Sequence, residues 1–310
     1  MLKRDFLDLQ SLGLPEIERL IDRAIYFKKN QLLRDEANLL KGKSIGLFFE
    51  KPSTRTRVAF EVAIGRFGGH PIFLSPNDTQ MGRGESIADT ARVLSSYLDA
   101  IVIRTFEQET LLKWAHSAAI PIINGLSNLC HPCQILADFL TIFEQRGRLR
   151  GLNLAYIGDG NNIAHSLMEG GAMVGMNITI ASPREYEPDP NIVKRASAIA
   201  KENHSQIIVL NDPKEAATNA DILYTDTWVS MEDNTIIDKM RKIPFLPFQI
   251  NQDLVNRAKD NRLIMHCLPA HRGEEITDEV MDGKDSVIFE QAANRLPTHQ
   301  AILEWAIQEK

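Results

Sequence analysis

Short apolar runs of strand length alternate with segments of helical spacing along almost the whole chain. That alternation restricts the fold to parallel sheets with helices packed on their faces. The predicted strands of the first half are residues 44–49, 70–74, 100–103 and 120–123, separated by helical patterns over 58–67, 86–97 and 107–118. In the first of these helices Val58, Val62 and Phe67 are read as the apolar face, beside Ala59 and Ala63. A strongly apolar helix over 133–145 follows, and the small, basic, turn-like stretch 147–151 marks a boundary. The pattern then restarts with strands at 153–157, 177–181, 206–210, 222–225, 262–266 and 286–289, and helices across 163–174, 192–203 and 213–219. At 310 residues the chain has room for two cores. The expectation is therefore α/β: two doubly wound parallel-sheet domains, 1–147 and 148–290, with the active site in the cleft between them. A last helix, about 291–310, is expected to pack back onto the first domain.

Composition removes several function classes. A formal charge of −6 without a long basic block argues against nucleic-acid binding. No apolar run reaches the ~18 residues of a membrane span, and Asp5, Asp8 and Gln10 interrupt any secretory core after the basic pair Lys3-Arg4. A cytoplasmic protein is expected. Three cysteines, Cys130, Cys133 and Cys267, are too few for a disulfide framework.

The chemistry concentrates where predicted strands end. Ser53-Thr54-Arg55-Thr56-Arg57 follows the first strand and Pro52, at a helix start. Hydroxyls, guanidinium groups and free backbone N–H groups there suit a phosphate or a similar anion; the plain alternative is a serine cap with solvated arginines. Arg104, then His131 and Gln134, then Asn161 and Asn162, then Asp226, then His266 and Cys267 occupy five further strand ends. Each has a dull explanation as a cap, a solvated loop or a satisfied polar group. Together they are harder to dismiss, because ligands of this fold class bind at the carboxyl ends of strands.

These residues resemble a known family. Ser53-Thr54-Arg55-Thr56-Arg57 is similar to the carbamoyl-phosphate motif of the aspartate/ornithine carbamoyltransferases, and His131-Pro132-Cys133-Gln134 to their H-P-x-Q. Asp226-Thr227-Trp228-Val229-Ser230-Met231 and His266-Cys267-Leu268-Pro269 resemble the ornithine branch's D-x-x-x-S-M and H-C-L-P; Gly158-Asp159-Gly160-Asn161-Asn162 and Ala292-Ala293-Asn294-Arg295 also fit. The resemblance implies transfer of the carbamoyl group of carbamoyl phosphate to the side-chain amine of L-ornithine, giving L-citrulline and phosphate in arginine biosynthesis, or the reverse in arginine catabolism, with no cofactor and no metal. Carbamoyl phosphate would be held by Ser53, Thr54, Arg55, Thr56, Gln80, Arg104, His131, Gln134, Cys267, Leu268 and Arg295. Asn162, Asp226, Ser230 and Met231 would hold ornithine, and Arg104, His131, Gln134, Asp226, Cys267 and Arg295 would act in catalysis. It also implies a homotrimer with shared sites, able to assemble further, in which Gln80 reaches a neighbour.

Rival readings start from single features. Gly158-x-Gly160 after a strand suggests a nicotinamide-dependent dehydrogenase, but Ile163 stands where the third glycine of that fingerprint belongs. Cys130-x-x-Cys133 suggests a redox dithiol or half of a zinc site completed by His266, Cys267 or His271, against Cys133 as a small apolar filler. Within the family, aspartate, putrescine and N-acetylornithine are alternative acceptors. Asp226 with Ser230-Met231 and Cys267-Leu268 favours ornithine.

Overall fold

The structure is a computed structural model that describes residues 3–30, 33, 35–229 and 240–308. The chain forms two compact units, Met1–Leu140 with Asn294–Lys310, and Thr141–Ala293.

The first unit contains helix α1 (Leu14–Lys29), strand β1 (Ser44–Phe49), α2 (Thr54–Arg66), β2 (His70–Leu74), α3 (Ile87–Leu94), β3 (Ala100–Arg104), α4 (Gln108–Ser117), β4 (Ile122–Leu126) and the start of α5 (Pro132–Arg146). Its sheet is wholly parallel in the order β2-β1-β3-β4. The inner strands β1 and β3 are buried along nearly their whole length, which is why they read as continuous apolar runs. On one face Phe48, Ile101, Ile103, Leu111 and Trp114 form a core, with the Phe48 and Trp114 rings 5.4 Å apart. Each large side chain of that kind contributes about 1.5–3 kcal/mol on burial. The terminal helix Arg295–Ile307 packs against α1 and α2 within this unit.

One expectation changes here, and one helix is new. In α2 the buried positions are Thr56, Phe60, Ala63 and Ile64, followed by Phe67, whereas Val58 and Val62 are 50% and 40% exposed. A position two residues from Phe60 lies about 200° round a helix, so burying phenylalanine and isoleucine turns the valines outward. Helix α1, unforeseen from the sequence, buries Ile17, Leu20, Ile21, Ala24 and Phe27 at helical spacing.

The second unit holds β5 (Asn153–Ile157), α6 (Asn162–Met173), β6 (Asn177–Ala181), α7 (Pro190–Glu202), β7 (Ile207–Leu210), β8 (Ile222–Thr225) and β9 (Leu263–His266). Its sheet is again parallel, in the order β7-β6-β5-β8-β9. The strand expected at 286–289 is instead one parallel bridge, Ser286 to Ile264, followed by the helix Ile288–Ala293. Ile288 and Gln291 turn inward there at i, i+3 spacing, and pairing beyond Val287 stops.

In both sheets the strand order reverses once, between β1 and β3 and between β5 and β8. The carboxyl ends flanking such a reversal are splayed by connections leaving in opposite directions, which opens a crevice for ligands. Among the described residues no helix is long and apolar enough to cross a membrane.

Candidate active site

In the first unit, the reversal places the start of α2 beside the end of β3. Ser53 occupies the N-cap position of α2 with extended backbone angles, and its hydroxyl makes no capping hydrogen bond. The first-turn N–H groups of Thr54, Arg55 and Thr56 are thus not satisfied by that cap, and the helix dipole adds a partial positive charge there. At the end of β3 the register with β4 shifts, since Ile103 pairs with Asn124 but Arg104 with Leu126, and the bulge re-aims Arg104 at the sheet's rim. Glu50 anchors this rim: its N–H donates to Arg104 O at 2.9 Å, and its carboxylate accepts from the Thr105 hydroxyl.

His131 precedes Pro132 at the first position of α5, a place proline suits because no intrahelical N–H is needed there. Burial first, then the positive charges of Arg295 and Arg104, then His299 and Arg55, hold the His131 imidazole well below its ordinary pKa. His131 is therefore neutral at physiological pH, with one N–H to donate. Arg295, Arg104 and Arg55 each act electrostatically on this one buried ring, so positive charge gathers near it and favours an anion there.

Arg295 is buried and makes a hydrogen bond through each of its three nitrogens. One terminal nitrogen donates to Thr56 Oγ1 at 2.7 Å, the other to Gln134 Oε1, and Nε points at His299 Nε2, 3.3 Å away. Gln134 Nε2 in turn donates to Asp138 Oδ1 at 2.8 Å, so its amide orientation is set, and Oε1 keeps one lone pair for a ligand. Arg57, the second arginine of the motif, does not join the cluster. It pairs with Glu61 at 2.8 Å and lies 3.6 Å over the Phe73 ring. Gln80 is exposed in a 3-10 turn, Gln80–Arg83.

In the second unit Thr225 of β8 pairs with His266 of β9, so Asp226 and Cys267 lie side by side one residue on. The Cys267 thiol donates to Asp226 Oδ1 at 3.0 Å, the Thr227 N–H donates to the same oxygen at 2.8 Å, and Asn161 Nδ2 donates to Oδ2 at 2.9 Å. Asn161 Oδ1 simultaneously caps α6 by accepting from the N–H groups of Ile163 and Ala164. Asn161, absent from the ornithine residues that the resemblance implies, is thus tied to the Asp226 carboxylate; its signal in the sequence is an asparagine at a cap position beside Asn162. Asn162 sits at the first helical position of α6. Ser230 and Met231, the other expected ornithine residues, lie outside the described residues.

The loop after β9 is held by a buried pair. His266 Nδ1 accepts from Leu268 N–H at 2.9 Å, which leaves Nε2–H to donate to Glu275 Oε1 at 3.0 Å, and the same oxygen accepts from His271 N–H. These bonds fix Leu268 at a φ of +57°, a conformation that branched residues rarely adopt. Asp226, His266 and Cys267 could present ligand atoms to one metal ion. Both ring nitrogens of His266 are already engaged, however, and Cys267 is tied to Asp226.

The single-feature rivals fare poorly. A Cβ on Gly160 would stand 2.3–2.7 Å from backbone atoms of Tyr186, Glu187 and Pro188, so this glycine serves chain packing and leaves no room for a pyrophosphate. Cys130 and Cys133 are buried and unbridged. Burial pushes the Cys133 thiol up to about 12, and its Sγ lies 3.2 Å from Asn124 O, so it is no thiolate nucleophile.

Fold and sites define a class first: a two-domain α/β enzyme with an arginine cradle at the reversal of one sheet and a carboxylate–thiol pair at the reversal of the other. Residues 4–144 match the model of the aspartate/ornithine carbamoyltransferase carbamoyl-P binding domain, and residues 150–306 that of the Asp/Orn binding domain. The chain belongs to the aspartate/ornithine carbamoyltransferase family. It is 53% identical over 300 residues to the ornithine carbamoyltransferase of Anoxybacillus flavithermus, covering 97% of this chain and 95% of that one. It is 48% identical over 300 residues to the anabolic ornithine carbamoyltransferase of Pyrococcus furiosus, again covering 97% and 95%. The solved structure of the ornithine carbamoyltransferase from Pyrococcus furiosus superposes with a TM-score of 0.94 at 46% identity, covering 99% of each chain.

Proposed function

We propose that this protein transfers the carbamoyl group of carbamoyl phosphate to the side-chain amine of L-ornithine, forming L-citrulline and phosphate in arginine biosynthesis. The observation that carries the reading is buried Arg295 bonded at once to Thr56 of the Ser53–Arg57 motif and to Gln134, three residues from the buried His131, with Arg104 and Arg55 near enough to act on that ring electrostatically. Such a cradle fits a substrate with a dianionic phosphate and a neighbouring carbonyl. Ser53, Thr54, Arg55 and Thr56 hold the phosphate with Arg104, and Gln80 of a neighbouring copy in a homotrimer completes the grip. Its exposed position in a polar turn supports that role. Trimers can stack into larger assemblies.

Arg104 and the His131 N–H donate to the carbonyl oxygen, on which negative charge grows as the amine attacks. Losing one such donor costs about 3 kcal/mol of barrier, a hundredfold or more in rate. Gln134 Oε1 accepts from the carbamoyl NH2, joined by the Leu268 carbonyl. Arg295 acts chiefly by fixing Gln134 and Thr56.

Asp226, already accepting from Asn161 and Cys267, takes the α-ammonium of ornithine. Asn162, Ser230 and Met231 take its carboxylate and neighbouring atoms, and Cys267 orients the side-chain amine. The new N–C bond forms as the C–O bond to phosphate breaks. The amine's proton leaves to a base or to solvent, and phosphate departs with the bond's electron pair. Neither a covalent enzyme intermediate nor a bound cofactor is needed for this step. The three unbridged cysteines support a cytoplasmic, reducing location.

The test is citrulline-type product formation from carbamoyl phosphate with ornithine, aspartate, putrescine and N-acetylornithine side by side. Ornithine should be the preferred acceptor by a wide margin. A higher kcat/KM for any of the other three refutes the assignment.

A further inference from the structure

We infer that His299 is a positioning residue for Arg295, accepting its Nε–H through Nε2 while a stack on Phe60 fixes the ring. The inference rests on the reading of the first unit as the carbamoyl-phosphate pocket, and it adds a residue that motif matching did not single out.

The geometry is a meeting of two helix faces. On α2, Thr56 and Phe60 are four residues apart and share a face; on the terminal helix, Arg295 and His299 do the same. The first pair of partners forms the 2.7 Å bond from Arg295 to Thr56 Oγ1. The second forms a stack of the His299 and Phe60 rings, centroids 3.9 Å apart and planes 12° from parallel. The stack sets the plane of the imidazole, and Nε2 then lies 3.3 Å from Arg295 Nε.

A guanidinium is a planar fork, and its orientation is fully determined once all three nitrogens are bonded. Thr56 and Gln134 take the two terminal nitrogens, and His299 takes the third. Without His299 the fork can swing about the Cδ–Nε bond, and the positions of Thr56 and Gln134 loosen with it. An acceptor role requires an unprotonated Nε2, hence a neutral ring carrying its hydrogen on Nδ1; that buried N–H has no hydrogen-bond partner among the described residues, so the acceptor role is held against the cost of leaving it unmet. Burial, and next the Arg295 charge, hold this imidazole well below its ordinary pKa, in keeping with that state.

Two variants and one spectrum of the whole protein test the inference. His299→Leu keeps an apolar body against Phe60 but has no acceptor, whereas His299→Gln offers Oε1 at a similar reach. Carbamoyl phosphate titrated calorimetrically against His299→Leu should bind roughly tenfold more weakly, with the ornithine KM unchanged, and His299→Gln should recover to within about twofold of the wild type. Unchanged binding in His299→Leu, or a His299→Gln protein as weak as His299→Leu, overturns the inference. Independently of whether the variants fold, 15N spectra of the wild-type ring should show Nε2 unprotonated and Nδ1 protonated; the opposite tautomer overturns it. If the wild type fails to bind carbamoyl phosphate, the pocket reading falls, while the tautomer still decides the link to Arg295.

Discussion

Replacing Asp226 by asparagine removes one charge while leaving the side chain's shape almost unchanged. In the native arrangement the carboxylate accepts from Cys267 and Thr227 on one oxygen and from Asn161 on the other. An asparagine can retain the first two bonds through its carbonyl. Its NH2 then faces the NH2 of Asn161, which cannot flip without surrendering the Oδ1 cap on Ile163 and Ala164. One hydrogen bond is therefore lost or strained, worth about 1–3 kcal/mol, which lowers Tm by several degrees. The proposed partner of the carboxylate, the α-ammonium of ornithine, loses a charge-assisted bond worth about 1.5–3 kcal/mol. The ornithine KM should rise roughly 10- to 150-fold. Carbamoyl phosphate affinity should move by less than about twofold, because Arg55, Arg104 and Arg295 are untouched. Steady-state kinetics at saturating carbamoyl phosphate, with calorimetric titration of carbamoyl phosphate alone, separates the two. An ornithine KM within about threefold of the wild type refutes the assignment of Asp226, whatever happens to Tm.

Three further outcomes are expected. Mixing Gln80→Ala with Arg55→Ala protein under subunit exchange should restore part of the activity that each lacks, because mixed trimers contain an intact shared site; an inactive mixture rules sharing out. Asp159 is pushed up to about 6 by burial, against the pull of Arg241 3.2 Å away. Its protonated form favours the fold, so that contribution is complete below the unfolded value near 3.8 and is lost as pH rises through about 6, some 3 kcal/mol for a shift of about two pKa units. Asp159→Asn should flatten the Tm–pH curve between pH 4 and 7 relative to wild type, and parallel curves for the two proteins exclude this. Glu275→Leu strands the His266 Nε2–H and the His271 N–H, each about 1–3 kcal/mol, and frees the Leu268 turn. Urea midpoint and kcat should both fall, more than in Glu275→Gln, which keeps an acceptor; equal losses in the two variants contradict the hydrogen-bond account.

Much of this protein was legible in one dimension, because its strand and helix patterns are dictated by local apolar periodicity. Strands 153–157, 177–181 and 222–225 were read at their observed limits, and the parallel α/β class followed from their alternation with helices. The polar groups at strand ends were legible for the same reason: a residue just past a buried parallel strand has nowhere to go but the rim. Other features depended on competition between partners. Which face of α2 is buried was decided by Phe60 and Ile64 meeting the sheet and terminal helix, so that Val58 and Val62 turned outward. Arg57 looked equivalent to Arg55 in the motif until Glu61 and Phe73 claimed it. Asn161 looked like a helix cap, and only the register of β5 with β8 placed its other end against Asp226. His299 carried no motif at all; it acquires meaning from Phe60 and Arg295, the first of them 239 positions away in the chain. Sequence determined the elements and the chemical inventory, since propensity and periodicity act between near neighbours. Tertiary structure decided which groups are free to meet a ligand, because hydrogen-bond partners are allotted in space and each donor or acceptor can be spent only a limited number of times.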